Sequence, residues 1–401
     1  MPALGHNRVL GEITDVKQHS IIIIAAAVVW LALSAAQGQT PADAIALEQQ
    51  GKWAEAAEAW RAVVARNPND ADAFASLGVV LAKQQKYAEA ASAYRKGLRL
   101  DSKLPGIQLN LGLAEFKQGH FPAAASALRA ALEVDPSSMQ ARTLLGLSYY
   151  GAKKFGLAAE YLEPVAKADP DNGELHEMLA HSCLWAKKYS CAQQEFRRIL
   201  EQNPDSAQAH ILTGEALDGL GKTTEAIAEF ESAAKIAPHE PNLHFGLGYL
   251  YWKSQQYDGA KREFQEELSL DSDHGQALAY LGDIEWKDDH PDAALSLLNR
   301  AKAINNRLRI VYMDLGAIYM QQKKYKEAEA ALLRAVSLDP AQSDAHYQLA
   351  RLHQSLGNKA RAEQELHKAQ ELHQKADERV ARKISTSPPA LNLSEQKPAG
   401  P

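Results

Sequence analysis

Alanine recurs at every thirty-fourth residue ten times in succession, at Ala56, Ala90, Ala124, Ala158, Ala192, Ala226, Ala260, Ala294, Ala328 and Ala362. A period of this length, held without insertion or deletion, means that one supersecondary unit is repeated in tandem. Other positions keep the same register. Twelve residues before each alanine stands a small residue: Ala44, Gly78, Gly112, Gly146, Ala180, Gly214, Gly248, Gly282, Gly316 and Ala350. Four residues after each alanine stands a large apolar one: Trp60, Tyr94, Leu128, Leu162, Phe196, Phe230, Phe264, Leu298, Leu332 and Leu366. Leu precedes the small residue in every unit except those carrying Asp43 and Thr213.

Within a unit the apolar positions step by three and four residues, which is helical spacing, and two such runs are separated near the middle by Gly, Lys or Gln. The unit is therefore an α-hairpin. Small residues where the two helices cross let their backbones approach, and the large residue fills the space beside them. A larger side chain at a repeating alanine would overpack the crossing, at a cost of roughly 1–3 kcal/mol. Pro68, Pro136, Pro170, Pro204, Pro238 and Pro340 close their units, because proline removes a helix donor and restricts the residue before it.

Over residues 37–376 these positions match the pattern W-x2-L-G-x2-Y, then A-x3-F, then A and P, and the chain resembles a tetratricopeptide repeat protein. The resemblance implies an all-α fold, a right-handed superhelical solenoid of ten helix hairpins with a C-terminal helical extension. Glu115, Cys183, Glu285 and His353 replace the usual apolar residue at the eleventh position, and Pro164 falls inside a second helix. These departures are expected to loosen or kink their own hairpins without changing the fold.

The repeats occupy nearly all of the 401 residues and leave no length for a separate catalytic domain. A net charge of −6 argues against a nucleic-acid or anionic-membrane binder, which would carry a basic face. Residues 21–36 form an uncharged apolar run, close in length to the hydrophobic region of a signal peptide and short for a membrane span. Ser34 and Ala36 are small residues before a cut at Gln37, so residues 1–36 read as a signal peptide or an N-terminal membrane anchor. Either places the repeats outside the cytoplasm. Arg8 and Lys17 are offset by Glu12 and Asp15, so a translation start nearer Val16 would make a tidier signal. Thr40, Pro41 and Asp43 suit the start of the first helix as N-cap, first residue and capping-box partner. At the other end, residues 377–384 continue a polar-faced capping helix, and the Pro-, Ser- and Gly-rich residues 385–401 read as a disordered tail.

In tetratricopeptide solenoids the first helix of each unit lines a concave groove through positions two, five, nine, twelve and thirteen. Those positions here hold Phe116, Tyr150, Trp185, Phe245, Tyr249, Trp252, Trp286, Tyr347 and Arg351. Glu174, Glu177, Glu215, Asp218, Asp283, Lys253 and Lys287 surround them. Rigid aromatic rings beside polar groups have the composition of a binding hot spot, and the groove would hold an extended peptide or a partner's helix. Any single ring could instead pack between adjacent first helices and only support the stack. No Asn occupies a ninth position, so the carboxylate clamp of chaperone-binding relatives is absent.

Cys183 and Cys191 flank one helix-to-helix turn, either as a disulfide across an exported hairpin or as a buried small residue and an exposed thiol. His176 and His181 bracket Glu177 like a zinc-protease motif, but they stand five residues apart and point about 140° from each other on a helix. No phosphate loop, nucleophile elbow, metal site or cofactor motif emerges. The sequence thus describes a non-enzymatic scaffold binding a protein or peptide, similar to bacterial tetratricopeptide proteins of envelope assembly and export. The alternative is an auxiliary subunit that guides an extracellular polysaccharide, since Trp and Tyr faces also stack on sugar rings.

Overall fold

In a computed structural model, which describes residues 40–386, the chain divides between Glu195 and Phe196 into two compact units. The first contains helices α1 (Pro41–Gln49) and α2 (Trp53–Arg66), α3 (Ala71–Lys83) and α4 (Tyr87–Leu100), α5 (Ile107–Lys117) and α6 (Phe121–Val134), α7 (Met139–Gly151) and α8 (Phe155–Ala168), and α9 (Gly173–Trp185). Helix α10 (Tyr189–Gln202) carries the division. The second unit contains α11 (Ala207–Gly219) and α12 (Thr223–Ile236), α13 (Leu243–Lys253) and α14 (Tyr257–Leu270), α15 (Gly275–Lys287) and α16 (Pro291–Ile304), α17 (Arg309–Gln321) and α18 (Tyr325–Leu338), and α19 (Asp344–Ser355) and α20 (Lys359–Thr386). The fold is an all-helical tandem of hairpins. Residues 1–36, read as a signal or anchor, lie outside the described residues. Helix α20 takes in Ser385 and Thr386, and residues 387–401, the rest of the segment read as a tail, lie outside the described residues.

The close approach of the two helices is visible in each repeated contact. A Cβ placed on Gly112 would lie 2.5 Å from Leu128 Cγ, one on Gly146 2.6 Å from Leu162 Cδ2, and one on Gly316 2.6 Å from Leu332 Cδ2. On Gly248 it would meet the Phe264 ring at 2.8 Å. At these distances the neighbouring side chain would have to move, so the crossing takes only a small residue, glycine in these hairpins and alanine at Ala44, Ala180 and Ala350. The repeating alanines from Ala56 to Ala328 are fully buried. Ala362 is only partly buried and Leu366 is 41% exposed, because the tenth hairpin has no following hairpin among the described residues to cover it.

The turn inside each hairpin needs one residue with a left-handed backbone. Gly51, Gly119, Gly221 and Gly357 supply it without a Cβ, and Gln85, Lys153, Lys187, Gln255, Asp289 and Lys323 adopt it with φ between 56° and 62°. The next amide then closes the turn, as where Lys86 N donates to Leu81 O at 2.9 Å. Between hairpins, side chains start the next first helix: Asp70, Ser138, Asn172 and Ser206 each accept a backbone amide three residues on. Thr40 and Asp43 form a reciprocal capping box at the start of α1.

The helices continue through each departure from the repeat pattern. Helix α8 runs unbroken through Pro164. At the eleventh position each polar replacement brings a partner. Glu115, 1% exposed, pairs with Arg95 and with His120 Nδ1 at 3.0 Å. Glu285 holds Lys261 at 2.5 Å and His290 at 3.0 Å, Cys183 is bonded to Cys191, and buried His353 lies 3.9 Å from Glu329.

A second polar device joins the two helices of particular hairpins. His at position four and Glu at position twenty-three occur together in four repeats and separately in none. Their side chains meet as His176–Glu195 at 2.5 Å, His210–Glu229 at 2.6 Å, His244–Glu263 at 2.7 Å and His346–Glu365 at 2.6 Å. The other ring nitrogen of His244 faces the Pro238 carbonyl at 2.8 Å. Two acceptors on one imidazole require two N–H donors, which is the protonated ring. Burial opposes that charge, but the Glu263 hydrogen bond, the Pro238 carbonyl and the Glu263 and Glu266 carboxylates outweigh it and raise the His244 pKa above 6.5. A folded pKa above the unfolded one contributes stability that is complete below about 6.5 and is lost as pH rises through the folded value. The second unit should therefore melt at a lower temperature as pH is raised from 6 to 8. Glu263→Gln should flatten that dependence, as followed by circular dichroism.

Candidate functional site

The described residues hold no cluster of three His, Cys, Asp or Glu side chains placed for a metal, and no described helix is long and apolar enough to cross a membrane. His176 turns to Glu195, whereas the His181 ring lies 5.2 Å from that of Trp185. The features that can bind something are aromatic walls on first helices, and the expected groove residues divide into five separate groups.

In the first unit, the Phe116 ring meets Phe121 edge-on at 5.8 Å. Further along, Tyr150, Phe155 and Trp185 form a cluster with centroid separations of 4.6–5.9 Å. Trp185 remains 49% exposed and forms the open face of that cluster. A covalent bond between Cys183 and Cys191, with Cα atoms 5.8 Å apart, ties α9 to the start of α10 across the intervening turn.

In the second unit, α13 presents Phe245, Tyr249 and Trp252, and α15 adds Tyr280, which sequence reasoning missed. Tyr280 is the hub, with ring centroids 4.8 Å from Trp252, 5.6 Å from Tyr249, 5.8 Å from Phe264 and 6.1 Å from Phe245. It sits at position six, outside the usual groove positions, so only the packing of neighbouring first helices reveals it. Trp252 Nε1 donates to Asp283 Oδ2 at 2.6 Å, and Lys287 pairs with Asp283 while lying 5.5 Å over the Trp252 ring. Lys253 donates to Asp218 at 2.6 Å.

This wall borders two cavities. One, of about 420 Å³, is lined by Phe245 and Tyr249 together with Glu215, Asp218 and Glu240. The other, of about 540 Å³, is lined by Trp252 and Tyr280 with Asp283, Asp314, Arg309 and Asp344. Desolvation first, and then the Tyr249, Asp283 and Asp314 groups, push the Tyr280 hydroxyl up to about 12. Trp286 packs instead against the hydrophobic core around Leu298 and Leu315. Tyr347 and Arg351 line a third hollow of about 420 Å³ beside Leu366.

Sequence profiles of the Tetratricopeptide repeat match residues 44–105, 109–173 and 245–307, and a second such profile matches residues 149–215, 219–268 and 319–385. The chain belongs to the tetratricopeptide repeat family, whose members generally act as protein-interaction scaffolds and typically lack enzymatic activity. It is 28% identical to Superkiller protein 3 of Schizosaccharomyces pombe over 28% of this chain and 8% of that protein. It is 24% identical to BBSome complex member bbs-4 of Caenorhabditis elegans over 35% of this chain and 30% of that protein. The chain thus spans less than a third of either curated relative. Among solved structures, the APC/C hetero-tetramer Cut9-Hcn1 aligns with a TM-score of 0.49 at 15% identity, over 82% of this chain and 79% of that one. A MamA structure aligns with a TM-score of 0.37 at 25% identity, over 41% and 95%.

The Cys183–Cys191 bond closes a short loop and removes freedom mainly from the unfolded chain. Cys191→Ser should lower the stability of the first unit by about 2–3 kcal/mol, and reductant should lower that of the parent protein equally. Chemical denaturation monitored by circular dichroism reads both.

Proposed function

We propose that the chain is a non-enzymatic scaffold that holds an extended peptide or a partner protein along the first helices of its second unit. The observation that carries this reading is the wall of Phe245, Tyr249, Trp252 and Tyr280 with a cavity on each side. Rigid rings bind with little loss of side-chain freedom, and the carboxylates and lysines beside them give the groove polar contacts that set register. In a family of interaction repeats, a wall of this kind is where an occupant gains most by excluding water.

The same reading places the protein in the cell envelope, in assembly or export. Two features support it: the apolar run at residues 21–36 followed by small residues, and a disulfide, which persists in oxidising compartments. Sequencing the N-terminus of the mature protein should find a chain starting at or near Gln37. A start before Ile21 would rule out cleavage and leave the membrane anchor.

A second reading, an auxiliary subunit for an extracellular polysaccharide, draws on the exposed Trp185 face in the first unit, which could stack on a sugar ring. Glycan-array binding that disappears in Trp185→Ala would favour it.

The groove itself is tested by cross-linking in the native envelope followed by mass spectrometry. A photoreactive residue at Tyr249 should capture a defined partner, and the double substitution Tyr249→Ser, Trp252→Ala should weaken that partner's binding at least tenfold, since losing two hot-spot rings typically costs more than 1 kcal/mol each. Undiminished binding by a folded double variant would reject the groove.

A further inference from the structure

The larger cavity of the second unit is lined by a carboxyl group, one oxygen of which is buried without a hydrogen-bond partner. Asp314, on α17, is 9% exposed, lines the cavity, and has no hydrogen-bond partner for Oδ2. Its acidic neighbours are already engaged. Asp283 accepts from Trp252 Nε1 and pairs with Lys287, and Asp344 is paired with the two terminal nitrogens of Arg309. Burial, together with the Asp283 charge and against the opposing charge of Lys287, pushes the Asp314 carboxyl well above the usual carboxylate range. A buried acceptor without a partner costs free energy that a ligand bringing a donor would recover.

The walls of the cavity define that donor. Trp252 and Tyr280 offer aromatic surface, and Ile310 and Met313 add apolar surface, which suits the methylene stem of a long side chain. A cation beside an aromatic ring and a carboxylate is favoured by both. In the larger cavity Lys287 pairs with Asp283 and Arg309 with Asp344, which leaves Asp314 as its unpaired acid, and across the aromatic wall Glu215, Asp218 and Glu240 line the second cavity, with Asp218 paired to Lys253. Arg307 also lines the larger cavity but is exposed, so water screens its charge.

We infer that this cavity receives an arginine or lysine side chain of the partner, with its charged end at Asp314 and its stem along Trp252 and Tyr280. The occupant is thus a basic segment of a protein. This rests on the groove reading above, and it adds the chemistry by which the groove chooses among peptides.

The test uses the whole protein and two fluorescent dodecapeptides of repeating Arg-Ala-Gly, one with every arginine replaced by citrulline, which keeps the shape and removes the charge. Fluorescence anisotropy should show the arginine peptide binding at least about tenfold more tightly. Asp314→Asn, which preserves size and needs no counterion, should remove that preference while leaving the melting temperature equal or higher. Trp185→Ala, in the other unit, should leave it intact. Equal binding of the two peptides by the parent protein, no binding of either, or a preference that survives in Asp314→Asn would each overturn the inference. If Tyr249→Ser, Trp252→Ala weakens both peptides equally and the parent shows no preference, the groove stands and only the basic pocket fails. If that double variant weakens neither, the groove fails with it.

Discussion

The structure depends on how closely two helices can lie when one of them carries only a small residue, Gly or Ala, at the crossing. A methyl group added to Gly112, Gly146 or Gly248 would come within 2.5–2.8 Å of Leu128, Leu162 or Phe264 and displace that side chain. From that approach follow the buried alanines of the second helices and the repetition of one crossing geometry along the chain. Each first helix packs through one face, where residues such as Ala73, Leu77 and Leu81 are buried, and its other face is released from that packing. The positions on that other face can carry rings, acids and bases whose arrangement differs from hairpin to hairpin.

Much of the fold was legible because it is periodic. Helix, turn and crossing residues recur at fixed positions, and a pattern repeated ten times averages out local noise. The polar departures were harder to read. Glu115 looks disruptive as a single letter, yet Arg95 lies twenty residues upstream and His120 five residues downstream, and only folding brings the three together. The link between position four and position twenty-three was present in the sequence as His and Glu always occurring together. It has no helical period, because it joins two different helices, so a search for spacing along one helix passes over it.

The site was less legible than the fold for the same reason. Position counting identified rings on the first helices but could not tell which face a cavity. Trp252 borders one, whereas Trp286, one repeat later at the same position, supports a core. Tyr280 and Asp314 were passed over because both stand at position six, which packs between neighbouring first helices. Their importance comes from burial and from missing partners, and neither quantity exists in a linear sequence. Charge adds a further limit, since whether Asp283 is available to a ligand depends on Trp252 and Lys287 having engaged it first.

The histidine–glutamate links also bear on how such a chain can grow or shrink. Each link is closed within one hairpin, so both halves of the buried pair travel together when a whole thirty-four-residue segment is copied or lost. A breakpoint between the two helices of a hairpin would strand an imidazole or a carboxylate without its counterpart inside the stack. Breakpoints at the loops between hairpins leave every pair complete. The electrostatics of the links thus favour rearrangement by intact modules.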